Sequence, residues 1–124
     1  MDACELQFLD SAITTVTSFF TLMYIDGPDH EKVFSQVFRV LVPGGRFFIW
    51  GVALPLPLDR EKDIAVFPLL VRLPDGEIST GYGTHWPERA QDLAHYLDLA
   101  GKTGFNVIEQ RESNRASVLI LHRP

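Results

Sequence analysis

Cysteine is almost absent: Cys4 is the single thiol in 124 residues. That excludes a disulfide framework and a multi-cysteine zinc site. Basic residues are also few, with 11 Lys and Arg against 16 Asp and Glu and a formal net charge of −5. They are scattered without a run, so the basic face of a nucleic-acid footprint is lacking. Long apolar runs are missing as well. The longest apolar-looking stretch, Ser11 to Ile25 (SAITTVTSFFTLMYI), is 15 residues and holds six Ser or Thr. A bilayer span needs about 20 mostly apolar residues. The first residues, MDACELQ, are acidic and lack the basic start of a signal peptide. No repeat or low-complexity tract is visible. These absences lead us to expect a cytoplasmic protein that meets neither membrane nor nucleic acid.

What remains is a chain that is 46% hydrophobic and 22% charged. At this length one domain, residues 1–124, is the expectation, and about two-thirds of the unfolded surface can be buried. Ile13 to Phe19 (ITTVTSF) is β-branched and aromatic, which predicts a strand. Its near-continuous apolar content suits a strand buried on both faces. Asp26-Gly27-Pro28-Asp29 is a turn into a helix, with Pro28 at the first helical position. Val33, Phe34, Val37, Phe38, Val40 and Leu41 then form a wide apolar face. Pro43 stops that helix, and Gly44-Gly45 turn the chain into a second strand, Arg46 to Val52.

Helix between two such strands is a βαβ unit, whose crossover should be right-handed. Leu69 to Leu73 and Glu77 to Tyr82, around Pro74-Asp75-Gly76, read as a hairpin insertion spanning about 67–82. Trp86-Pro87 opens a second helix, with Ala90, Leu93, Ala94, Leu97 and Ala100 as its stripe and Gly101 or Gly104 as its end. Phe105 to Glu112 and Ala116 to His122 should pair as antiparallel strands. The fold class expected is therefore α/β, in the order strand, helix, strand, hairpin, helix, antiparallel strand pair.

The chemistry-bearing residues are sparse. No His, Asp and Glu grouping has metal spacing, so no metal site is expected. No serine elbow or Cys–His pairing points to a hydrolase. His30, His95 and His122 are expected to be solvated or at sheet ends. Phe47, Phe48, Trp50 and Phe67 should pack beneath the two helices. Gly44-Gly45 and the Gly81 to Gly83 stretch (GYG) read as turns.

Two stretches together carry a family likeness: DACELQF followed by ITTVTSFFTLMYI, and the helix ending in FRVLVPGGRFFIW. ERAQDLAHYLDLAGKTGFNVIE later adds a long helix and a Gly-Phe strand opening. The whole resembles the C-terminal half of a class I S-adenosylmethionine-dependent methyltransferase, of the type 11 kind. Gln7 and Val42 depart from the family's proline and lysine, and Thr14 stands where the family usually has an aspartate. The resemblance implies a partial Rossmann-like sheet, S-adenosylmethionine as cofactor, and methyl transfer to a small-molecule acceptor.

The same resemblance assigns residues. Asp2 matches the acidic residue that accepts from the adenine amino group, and Ala3 would offer its backbone N–H to a ring nitrogen. Ser18 and Phe19 match the end of the strand that walls the cofactor pocket. Tyr24, His85 and Trp86 would line the acceptor side, with His85 as a weak candidate for general base. Four of these have a structural alternative: an exposed terminal aspartate for Asp2, core packing for Phe19, a helix-flanking His85, and an N-terminal staple for Trp86. The family's glycine-rich cofactor loop has no counterpart in these 124 residues. The expectation is therefore a strand Ile13 to Phe19 with a bare edge, and a homodimer or a second chain supplying the missing half. No methyl transfer by this chain alone is expected. The alternative is a non-catalytic homodimeric α/β binding module.

Overall fold

A computed structural model describes residues 1–53, 64–85, 90–113 and 116–124; side chains at 64–67, 69, 82, 84 and 85 lie outside the description. Strand β1 is Ile13–Phe19 and helix α1 is His30–Val40. Two 3-10 turns join them, Leu22–Tyr24 and Gly27–Asp29, the second holding Pro28 near its start. The regular α-helix thus begins two residues after the expected Pro28.

Strand β2 is Leu41–Val52, and it starts five residues before the expected Arg46. The Pro43-Gly44-Gly45 bend is absorbed into it as an irregularity. Ile13 pairs with Leu41, and the next partner pair is Thr15 with Arg46. Gly44 takes a φ of 84°, which favours glycine. A Cβ on Gly45 would lie 2.8 Å from the Val42 carbonyl oxygen. The chain end fastens this bend: Gly44 N–H donates to the Arg123 carbonyl at 2.6 Å, and Arg123 N–H donates to the Gly45 carbonyl at 2.9 Å.

Strands β3 (Ile64–Leu73) and β4 (Gly76–His85) form the expected hairpin, longer than the apolar pattern suggested. Helix α2 is Leu93–Thr103. Its N-cap is Asp92, whose carboxylate accepts from the His95 backbone N–H at 3.0 Å. The start expected at Trp86-Pro87 falls on residues outside the description. The helix ends at Gly104, where φ is 107°. Its buried residues are Tyr96, Leu99 and Ala100, whereas Ala94, assigned to the stripe, is exposed. Strands β5 (Asn106–Ser113) and β6 (Ala116–His122) close the chain.

The main sheet has the order β1-β2-β6-β5, with β1 and β2 parallel and the remaining pairs antiparallel. Both helices supply the core on one face. Phe34, Val37 and Val33 of α1 meet Phe47 and Ile49 of β2, Leu119 and Leu121 of β6, and Tyr96 and Leu99 of α2. Phe34 is fully buried and lies edge-on to Phe47 and Phe105, at 5.5 and 6.3 Å between ring centres. Burying such a ring stabilises the fold by about 2–3 kcal/mol.

Two sequence expectations need correction. Phe48 and Trp50 do not lie beneath the helices. The alternation that buries Phe47 and Ile49 turns them to the opposite face, where they stack at 6.0 Å. The side chain of Phe67 lies outside the description. Nor is β1 buried on both faces: Thr14, Thr15, Thr17 and Phe19 are exposed. The physical reason is that both helices pack on one face of the sheet, so Thr15, Thr17 and Phe19 turn to the other face, which no described element covers.

Candidate functional site at the carboxyl end of the first strand

In open α/β sheets, ligands gather at the carboxyl ends of parallel strands. Here that edge is built by the end of β1 and the turn after it. Ser18 pairs with Ile49, so its side chain shares the helix-bearing face. Its hydroxyl is buried and has no hydrogen-bond partner among the described residues. Phe19 points the other way and is 63% exposed, 5.9 Å from the Trp50 ring. Phe20 then adopts a left-handed φ of 50°, costly for a residue with a bulky side chain. Its N–H is paired with the Trp50 carbonyl at 2.8 Å, and the Thr21 hydroxyl donates to the Phe19 carbonyl at 3.0 Å. Ser11, before the start of β1, takes a similar φ of 52°, so both ends of this strand hold strained backbone. The strain at Phe20 was not legible in the sequence.

The N-terminal segment reaches the same edge. It runs along α1: Cys4 Sγ lies 3.8 Å from the Asp29 carbonyl, Leu6 N–H donates to Gln36 at 3.1 Å, and Arg39 donates to the carbonyls of Leu6 and Phe8. Because α1 returns antiparallel to β1, its start lies at the carboxyl edge, and Asp2 and Ala3 lie there too. Asp2 is exposed, and one carboxylate oxygen accepts from Cys4 N–H at 2.8 Å. Desolvation and the nearby carboxylates of Asp2 and Asp29 push the Cys4 thiol up, which disfavours its thiolate. A recess of about 440 Å³ lined by Cys4, Pro28, Glu31, Lys32, Ser35 and Gln36 lies on α1, apart from Ser18.

The acceptor-side residues are only partly described. Tyr24 ends the first 3-10 turn and is 52% exposed. His85 is the last residue of β4, paired in backbone register with Ile64, and its side chain lies outside the description. Trp86 lies outside the described residues. Strand β4 approaches the Leu22–Tyr24 turn, which brings the backbone of the hairpin toward Tyr24.

A pair that the sequence places in solvent or at sheet ends instead stands on the two helices beneath this turn. His30 is fully buried, and its Nε2 lies 2.7 Å from the Leu22 carbonyl oxygen. Its Nδ1 lies 2.9 Å from His95 Nε2. Burial holds His30 below the ordinary histidine range, against the pull of the Leu22 and Ile25 carbonyls. Burial, then the neighbouring His30, does the same for His95. Tyr96, 5.6 Å from the His30 ring, is pushed upward by burial and stays neutral. A signal for His30 did exist. It precedes Val33, Phe34 and Val37 by three, four and seven residues, which places it on the same apolar stripe. Among the described residues no cluster of three metal-ligating side chains occurs.

Fold and edge together define a Rossmann-like α/β domain. A family model described as a methyltransferase domain matches residues 1–49, the stretch holding Asp2, Ser18 and the Pro43-Gly44-Gly45 bend. The chain is 26% identical over 130 aligned positions to the ubiquinone/menaquinone biosynthesis C-methyltransferase UbiE of Klebsiella pneumoniae, covering 98% of this chain and 50% of that protein. It superposes on a SAM-dependent methyltransferase from Methanosarcina mazei with a TM-score of 0.64 and 18% identity, covering 99% of this chain and 65% of that one. It also superposes on a 1,6-didemethyltoxoflavin-N1-methyltransferase from Burkholderia thailandensis, a structure that contains S-adenosylhomocysteine. There the TM-score is 0.58 and the identity 13%, over 99% of this chain and 48% of that one. Over residues 1–49 the chain is similar to the methyltransferase domain family, and its fold is that of S-adenosylmethionine-dependent methyltransferases. It spans about half the length, or less, of the curated relatives it matches.

Proposed function

We propose that this chain forms the C-terminal part of a domain that transfers a methyl group from S-adenosylmethionine to a small-molecule acceptor. The observation supporting this best is the Ser18 hydroxyl, buried without a partner at the carboxyl edge. An orphaned buried hydroxyl costs roughly 1–3 kcal/mol, and a ligand that engages it would recover that cost. The neighbouring residues fit the cofactor's groups. Asp2 would accept from an exocyclic amine, Ala3 would donate its backbone N–H to a ring nitrogen, and Phe19 offers a flat apolar surface. When bound, the cofactor supplies a sulfonium methyl group, an electrophile that needs little covalent help. The protein's task is alignment and exclusion of water. Tyr24, His85 and Trp86 form the acceptor side of this reading, and His85 would take the proton that an acceptor loses.

Strand β1 supports a further part of the proposal. Among the described residues it is paired on one side only, and in this reading the rest of the sheet adds there, from a second chain or from a second copy of this one. By itself this chain would show no methyl transfer. A non-catalytic homodimeric module is the second reading, favoured by exposed Leu70, Val71, Leu73 and Ile78 on the hairpin. No helix among the described residues is long and apolar enough to cross a membrane, and a cytoplasmic location belongs to the proposal.

Calorimetry with S-adenosylhomocysteine tests the cofactor, and sedimentation tests association. Binding that Ser18→Ala and Asp2→Asn both weaken supports the methyltransferase reading. A stable dimer with no such binding supports the module, and a stable monomer at micromolar concentration overturns the dimer.

A further inference from the structure

The helix-free face of the main sheet carries a pattern that the candidate site does not use. Alternation and register place three rows on it. Thr15, Arg46, His122 and Asn106 form the first, and Thr17, Phe48, Ile120 and Glu109 the second. Phe19, Trp50, Val118 and Arg111 form the third. No described element lies over this face. Its middle is apolar, with Phe48 stacked on Trp50 at 6.0 Å and Phe19 at 5.9 Å from Trp50. Arg46 is exposed and forms no ion pair among the described residues. Glu109 and Arg111 pair with each other at 2.7 Å on the outermost strand.

The exposed area argues that this face is covered. The chain exposes 7984 Å². A closed monomer of this mass exposes about 6,700 Å², so about 1,300 Å² stands in excess, more than the roughly 800 Å² that each partner of a stable complex buries.

We propose that a second copy of this chain covers the helix-free face, packed sheet on sheet about a two-fold axis through the Phe48 row. The interface deepens the homodimeric reading given above and rests on it; it does not depend on cofactor binding.

The residue pattern selects the arrangement. A two-fold axis between the faces and across the strands keeps β2 over its own copy and reverses the rows. Phe48 and Ile120 then meet their counterparts at the centre. Arg46, two residues before Phe48, falls opposite Trp50 of the other copy, two residues after Phe48. Aligned sheets pack about 10 Å apart, a gap that arginine and tryptophan fill from opposite sides. The guanidinium gains a cation–π partner, and symmetry forms that contact twice. An axis along the strands would instead set Arg46 opposite His122, itself a base.

Sedimentation equilibrium of the full chain at micromolar concentration should show a dimer. Trp50→Arg sets cation against cation across the axis and should weaken dimerisation at least about tenfold. Arg46→Trp combined with Trp50→Arg restores the pairing with its members exchanged, and should regain most of the affinity. Misfolding of the single variant would not be rescued in this way. Arg46→Glu changes an exposed side chain, should weaken the dimer in the same direction, and serves if Trp50→Arg fails to fold. Ile78→Thr, on the hairpin, should leave the dimer unchanged. A wild-type monomer overturns both this interface and the homodimeric reading. A dimer that Trp50→Arg and Arg46→Glu leave intact, or that only Ile78→Thr weakens, overturns the interface and leaves the homodimeric reading standing. A folded double variant that stays monomeric overturns the pairing of Arg46 with Trp50, and with it the two-fold arrangement.

Discussion

Arg123, the penultimate residue, donates its guanidinium to the carbonyl of Leu41 at 2.6 Å, at the junction of α1 and β2. The same nitrogen serves the Phe38 carbonyl at 2.9 Å, and the guanidinium covers the Phe38 ring at 4.7 Å. One side chain thus satisfies carbonyls that the end of α1 leaves open. Arg123→Ala should lower stability by about 2 kcal/mol, the scale of charge-assisted hydrogen bonds. Urea denaturation measures it; an unchanged midpoint would show that water caps α1 equally well.

The glycines of the Pro43-Gly44-Gly45 bend should respond unequally to alanine. Gly45→Ala places a Cβ against the Val42 and Thr14 carbonyls at 2.8 and 3.2 Å, and backbone cannot step aside cheaply. Gly44→Ala meets no atom within 4 Å but must hold φ at 84°, a cost of about 1 kcal/mol. Gly51→Ala meets nothing within 4 Å and needs no such φ, so it should be close to neutral. Thermal melts should rank them Gly51, Gly44, Gly45 in order of increasing damage.

Ser18→Ala separates stability from binding. Removing a buried hydroxyl without a partner should raise stability by about 1 kcal/mol. If the edge holds a ligand through that hydroxyl, the same change weakens binding of S-adenosylhomocysteine. A fall in stability would mean that Ser18 already has a partner in the protein.

Acid should weaken the fold through the histidine pair. Both rings are held below the ordinary histidine value, so the unfolded chain binds more protons over the interval between the two. Their contribution is therefore complete above about pH 6.5 and is lost as the pH falls through the folded values. Urea midpoints taken at falling pH should decline across this interval, and His30→Gln should flatten the decline. Equal slopes in the two proteins would contradict it.

Much of the architecture was legible from local chemistry. ITTVTSF, the Val33-Phe34-Val37 stripe and Pro-Asp-Gly at the hairpin tip each announce their element by period or turn residues. What stayed hidden depends on three-dimensional neighbours. Alternation along RFFIWGV separates Phe47 from Phe48, but only the placement of α1 and α2 decides which of them is buried. His30 lies on a stripe that the sequence displays, three, four and seven residues before Val33, Phe34 and Val37, yet a helix start alone does not say whether that stripe is already covered there. Its partner His95 is 65 residues away and no spacing rule links them. At the candidate site, family likeness points to the carboxyl end of β1, whereas the strain at Phe20 and the orphaned Ser18 hydroxyl require the backbone path.

Strand β6 lies between β2 and β5, although it follows both in the sequence. During translation the aromatic and aliphatic side chains of β2 therefore wait without their antiparallel neighbour until Ala116–His122 has been made. A nascent chain stalled before that segment would present an unfilled slot to chaperones and to other chains. Degradation signals and aggregation would then depend more on making Ala116–His122 than on the strength of any one contact within the finished core.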